Sequence, residues 1–128
     1  MRPRSSARAA ASLLAALLAP VAAAADDAKV LDVKVAAEAG GTYRFEVTVA
    51  HADQGWKHYA DKFEVLTPDG TVLGTRVLLH PHEDEQPFTR DLGGVKVPPG
   101  VTQITVRAWD NVHKAGKRTV TVTLPPRR

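Results

Sequence analysis

The chain has 128 residues, no cysteine, a single methionine at Met1 and a formal charge of +3. It is too short for more than one ordinary domain. Without cysteine it has no disulfide, no thiolate ligand, no thiol nucleophile and no lipid-anchor cysteine, and with Met1 as the only methionine a thioether copper(I) site is excluded.

The charge is unevenly placed. Arg2, Arg4 and Arg8 are three of the 17 basic residues, and all 14 acidic residues follow Ala25, so the chain from Asp26 onward is balanced at 14 against 14. No Lys/Arg stripe interleaved with aromatics appears. A nucleic-acid partner is therefore not expected.

Residues 1–25 read as a cleaved secretory signal. The three arginines form a basic head, Ala9 to Ala25 is an apolar run interrupted by Pro20, and Asp26-Asp27 opens the polar chain. The run is short for a membrane span, so processing near Ala25 is expected, with a single domain over 26–128 in the periplasm or outside the cell and no membrane span after cleavage.

From there the chain reads as strands separated by turns. Val30 to Ala36 is the first. Tyr43 to Val49 alternates cleanly, with Tyr43, Phe45, Val47 and Val49 on one face. Phe63 and Val65 mark a third strand, which Pro68-Asp69-Gly70 turns into a fourth over Val72 to Leu79. Phe88 to Val97 is a fifth, with a bulge or break at Gly93-Gly94. After Pro98-Pro99-Gly100, the inner face of a sixth strand is Ile104, Val106 and Ala108, and that of a seventh is Val120, Val122 and Leu124. No stretch has helical periodicity. About seven short strands in this length predict an all-β immunoglobulin-like or fibronectin-like sandwich.

Consecutive strands of such a fold reverse direction, so its connections alternate between two ends. One end receives short turns without histidine. The other receives three loops that hold all five histidines: His51 and His58, then His80 and His82, then His113. Carboxylates accompany them: Asp53 and Asp61, then Glu83, Asp84 and Glu85, then Asp110. Loops on a rigid sandwich are where function usually sits. Strand phase places His51 in register with Val47 and Val49, and Asp110 with Val106 and Ala108, while Tyr59 and Asp61 share the register of Phe63 and Val65. These groups are expected to lie over the top of the core.

Imidazoles with carboxylates are the material of a metal site. The expected ligands are His51, His58 and His113, with His80 or His82 and Asp110 completing the shell. Asp53, Trp56, Tyr59 and Asp61 are expected in support, Trp56 as a wall against water. Pro81 extends its segment, so His80 and His82 are expected on opposite sides. Asp110 has two readings, one as a ligand or orienter of His113, the other as an Asx turn leaving the strand. Nitrogen and oxygen donors without sulfur suit Cu(II), Zn(II), Ni(II) or Fe(II). The chain beyond Ala25 contains no serine, so a nucleophilic triad has no support. The competing reading is a non-catalytic module that uses the same loops, with Trp56, to bind a protein partner.

The pattern His51…His58-Tyr59, a strand, then Asp110-Asn111-Val112-His113 resembles the iron domain of superoxide reductase and desulfoferrodoxin. It is also similar to the sandwich subunit of the bacterial thiosulfate-oxidising carrier. The first resemblance implies an immunoglobulin-like fold, iron as cofactor, His51, His58 and His113 as ligands and, if the protein is an enzyme, a metal oxidoreductase. Asp110 stands where that family has cysteine, and no histidine precedes His51.

Overall fold

A computed structural model describes residues 26–128, and the expected signal segment 1–25 lies outside the described residues. The described chain is a β-sandwich. Its strands are β1 (Lys29–Ala37), β2 (Tyr43–Ala50), β3 (Ala60–Leu66), β4 (Val72–Val77), β5 (Phe88–Val95), β6 (Gln103–Asp110), β7 (Lys114–Ala115) and β8 (Val120–Thr123). One sheet has the order β1-β2-β5. The other has the order β4-β3-β6, with β7 and β8 both paired to β6. All pairings are antiparallel.

The predicted strands are present. β4 pairs with β3, a departure from the constant immunoglobulin arrangement, in which the fourth strand joins the first sheet. The short β7 was not expected. β6 runs to Asp110 and the chain turns back at once, so Lys114 pairs with Asp110 and Ala115 with Trp109. Lys114 takes a φ of 68° to close this hairpin. Gly93-Gly94 does not break β5. Tyr43 faces Val95 and Phe45 faces Leu92, so the two glycines are absorbed as a bulge opposite Arg44.

The core follows the period-2 phase. Phe45, Val47 and Val49 of β2 meet Phe63 and Val65 of β3, Phe88 of β5 and Ile104, Val106 and Ala108 of β6, all 0–1% exposed. Burial of each large side chain contributes about 1.5–3 kcal/mol. On the outer face of the β3–β6 sheet, Trp109 donates to Glu64 and lies beneath Lys62, whose Nζ is 4.2 Å from the ring centroid. Trp109 is thus a sheet-packing residue.

One register was misread. β3 bulges between Ala60 and Lys62 where it meets β6. The bulge shifts the phase by one, so the fully buried Ala60 takes the inward slot and Asp61 and Tyr59 do not.

Candidate metal centre

The inward phase of two strands continues past the sheet edge. His51 follows Val49 at the end of β2, and Asp110 ends β6. They are 3% and 1% exposed and roof the core at one pole. Polar groups this deep need partners, and theirs are each other and the adjoining loops. Nε2 of His51 lies 3.6 Å from Oδ2 of Asp110. Nε2 of His58, from the β2–β3 loop, lies 3.2 Å from Nε2 of His51 and 3.4 Å from Oδ1 of Asp110. Nδ1 of His113, on the β6–β7 hairpin, lies 3.1 Å from Nε2 of His58 and 3.3 Å from Oδ2 of Asp110. His51, His58 and Asp110 each offer a ligand atom within 4.8 Å of the other two.

Each side chain is held from behind. His51 donates from Nδ1 to Oδ1 of Asp53 at 2.6 Å. Asp53 also accepts from the amides of Ala60 at 3.0 Å and His82 at 2.7 Å. With the Nδ1 proton committed to Asp53, only Nε2 of His51 faces the cluster. Asp110 fulfils both of its readings. Its Oδ1 accepts from the amides of Val112 and His113 at 2.8 and 2.6 Å, which makes the Asx turn, while Oδ2 lies against His51 and His113. Asn111 ties the two loops together. Its Oδ1 accepts from the amide of Tyr59 at 2.9 Å, and its Nδ2 donates to the carbonyls of Trp56 and Lys57 at 3.2 Å.

The donor set fits a transition metal. Metal–nitrogen bonds of about 2.0–2.1 Å in a tetrahedron put neighbouring ligand atoms roughly 3.3 Å apart. Among His51, His58 and Asp110 the spacings run from 3.2 to 3.6 Å, and Nδ1 of His113 lies 3.1 Å from His58 and 3.3 Å from Asp110. The charge also fits. Nε2 of His51 faces the carbonyl oxygen of Asp26 at 3.0 Å and Oδ2 of Asp110 at 3.6 Å, groups that only accept, so positive charge is favoured there, as a proton on His51 or as a metal ion. Burial disfavours charge on His51, but the Asp53 hydrogen bond and the carboxylates of Asp26, Asp53 and Asp110 outweigh it and hold its pKa above 6.5. Burial likewise opposes charge on Asp53, yet His51 and the amides of His82 and Ala60 hold its pKa below the usual carboxylate range. Access is one-sided. The side chains of His51 and Asp110 are fully buried, whereas His58 is 12% and His113 28% exposed, so the centre opens toward His113.

The remaining expected residues lie elsewhere. His80 and His82 are outside the donor group. Their rings are not on opposite sides but 4.6 Å apart, because the buried His82 ring stacks on Phe88 at 4.0 Å and His80 lies against it. His82 reaches the site through Asp53, which accepts from its amide at 2.7 Å and lies 4.0 Å from its Nδ1. Trp56 is 65% exposed and packs edge-on against Tyr59, so it does not wall the centre. Asp61 sits on the bulge, and burial raises its pKa. Glu83, Asp84 and Glu85 are exposed.

Three residues went unrecognised. Asn111 was read only as part of a turn. Gln86 accepts from the amide of His51 at 3.0 Å and donates to the carbonyl of His82 at 2.9 Å. Asp26 is, on sequence, only the opening of the polar chain. The signal that would have found it is topological, since the first strand starts at the pole where the second ends.

No family model matches the chain. A protein of Halomicrobium mukohataei described as a "Putative lipoprotein" is 40% identical over 96 residues, 75% of this chain and 47% of that protein. The chain therefore spans about half the length of that curated relative. A superoxide reductase (1Fe-SOR) from Giardia intestinalis superposes with a TM-score of 0.44 at 12% identity, over 75% of this chain and 99% of that one. Among the described residues no helix is long and apolar enough to cross a membrane.

Proposed function

We propose that this chain is an exported metal-binding protein that holds one divalent transition ion with His51, His58, His113 and Asp110, oriented by Asp53 and Asn111. The observation that carries this reading is the chain of spacings from His51 Nε2 to His58 Nε2 to His113 Nδ1, 3.2 and 3.1 Å, closed by the Asp110 carboxylate. Three imidazoles and a carboxylate converging this closely form a donor set that a divalent ion would bridge. The all-N/O donor set suits Cu(II), Zn(II), Ni(II) or Fe(II). Copper or iron would supply one-electron chemistry. The proposed donor set holds a carboxylate, Asp110, and no thiolate.

Export is supported by the basic head and apolar run before Asp26 and by the description of the Halomicrobium relative as a lipoprotein. Elemental analysis of untagged protein, exported with its own leader and purified without chelator, is expected to find about one equivalent of one such metal. Unchanged metal affinity after replacing both His51 and His113 by Ala would overturn the site.

A second reading, a protein-binding pole, is favoured by one observation. Trp56 and Val112 are 65% and 52% exposed on the two loops that Asn111 ties together. It predicts no metal uptake, and the same analysis separates the two.

A further inference from the structure

The segment before β1 is not a loose end. It is bound to the loops on either side of it. Oδ2 of Asp26 accepts from the amide of Ala52 at 2.7 Å, and Oδ1 accepts from Lys29 Nζ at 3.1 Å. Oδ2 of Asp27 accepts from the amide of Lys117 at 2.8 Å. Ala28 is fully buried, and its carbonyl oxygen lies so close to Gly116 that a Cβ there would meet it at 1.8 Å. These contacts hold Asp26 over the centre in one orientation. Oδ2 of Asp26 lies 3.9 Å from Nε2 of His51, and the main chain of Asp26 comes nearer. Its carbonyl oxygen lies 3.0 Å from Nε2 of His51.

Signal processing after Ala25 would make Asp26 the first residue. Its peptide nitrogen would become an α-amine, a strong nitrogen donor for the ions this site suits. The α-amine and carbonyl oxygen of one residue close a five-membered chelate ring on a single ion. We infer that the amino terminus of the processed chain is itself part of the metal site, with the α-amine and carbonyl oxygen of Asp26 completing the shell formed by His51, His58, His113 and Asp110. This rests on the metal-binding reading above and adds a donor that exists only after export. The unprocessed precursor has an amide in its place, so the leader would keep the site incomplete until the chain has crossed the membrane.

The test uses protein exported with its own leader, its first residue read by intact mass. One half is acetylated selectively at the α-amine under conditions that spare lysine. Cu(II) affinity is measured for both halves by competition titration. Far-UV circular dichroism and thermal unfolding of the metal-free forms are expected to be unchanged. Acetylation is expected to weaken Cu(II) binding at least as much as losing an outer-shell partner does, about 10–100-fold. The Cu(II) EPR spectrum is expected to lose the coupling of one nitrogen. Equal affinity and equal spectra would overturn the role of the terminus and leave the histidine site standing. A first residue other than Asp26 would overturn it as well. No Cu(II) binding by either form, with no uptake of Zn(II), Ni(II) or Fe(II), would overturn the metal site and this inference together.

Discussion

Asp53 and His51 share a 2.6 Å hydrogen bond between two fully buried side chains, and that contact selects which nitrogen of His51 meets the centre. The same carboxylate accepts from the amides of Ala60 and His82. It therefore joins the start of β3 and the β4–β5 connection to the candidate metal centre.

Asp53→Asn keeps the shape but can accept with only one oxygen. Metal affinity is expected to fall by about 10–100-fold, the usual cost of an altered second shell. Asp53→Ala also strands two buried amides, at ~1–3 kcal/mol each, so urea unfolding of the metal-free protein should show a loss of roughly 2–6 kcal/mol. Unchanged affinity in the Asn variant would separate Asp53 from the centre.

His58→Ala should abolish stoichiometric uptake or weaken it by orders of magnitude. His82→Phe should leave metal affinity within about twofold and stability within ~1 kcal/mol. Neither ring nitrogen of His82 has a hydrogen-bond partner among the described residues, Nδ1 being 4.0 Å from Asp53, its amide bond to Asp53 survives the change, and the stack on Phe88 is kept. Parallel titration of the two variants checks both statements.

Asn111→Ala removes one acceptor and two donor bonds that tie the β2–β3 loop to the β6–β7 hairpin. The expected outcome is a fall in affinity of about tenfold, because His58 and His113 lose their common frame. The stability loss should be only ~1–2 kcal/mol, since these bonds are near solvent.

In the metal-free protein the pKa of His51 lies above 6.5. The folded state thus binds this proton more tightly than the unfolded state does. The resulting stabilisation is complete below 6.5 and is lost as pH rises through the folded value. Metal shows the opposite trend, because it competes with that proton and binds less tightly as pH falls through the same range. Urea midpoints and metal affinity measured across neutral pH should slope in opposite directions, and His51→Ala should flatten the first. His82 works against His51. Burial, with Arg90 and His80, pushes its pKa below 6.5, so it adds stability above that value and loses it on acidification.

Gly116→Ala would drive a Cβ into the carbonyl of Ala28. Release of the segment that carries Asp26 is expected, with a loss of about 1–3 kcal/mol and a drop in the thermal midpoint. Differential scanning calorimetry checks the stability, and a metal titration of the same variant reports on the strap.

Much of this was legible in the residues themselves. Alternation through Tyr43, Phe45, Val47 and Val49, with turns at Pro68-Asp69-Gly70 and Pro98-Pro99-Gly100, identified the strands. Carrying the phase one step beyond β2 and β6 placed His51 and Asp110 over the core, because side-chain direction along a regular strand is a local property. What failed was whatever depends on contacts between distant segments. The bulge at Asp61 arises from the pairing of β3 with β6, and one extra residue was enough to turn Tyr59 and Asp61 away. His80 and His82 were separated on the alternation of an extended segment, but stacking on Phe88 draws their rings together. Asp26 has no pattern of its own, and its position over His51 follows from bonds to Ala52 and from Asp27 holding Lys117, 90 residues away. The sequence alone determined the strands, the absence of sulfur chemistry and the pole that collects the histidines. Tertiary packing decided which of those histidines converge, since convergence depends on sheet register and loop-to-loop hydrogen bonds that join residues far apart in the chain.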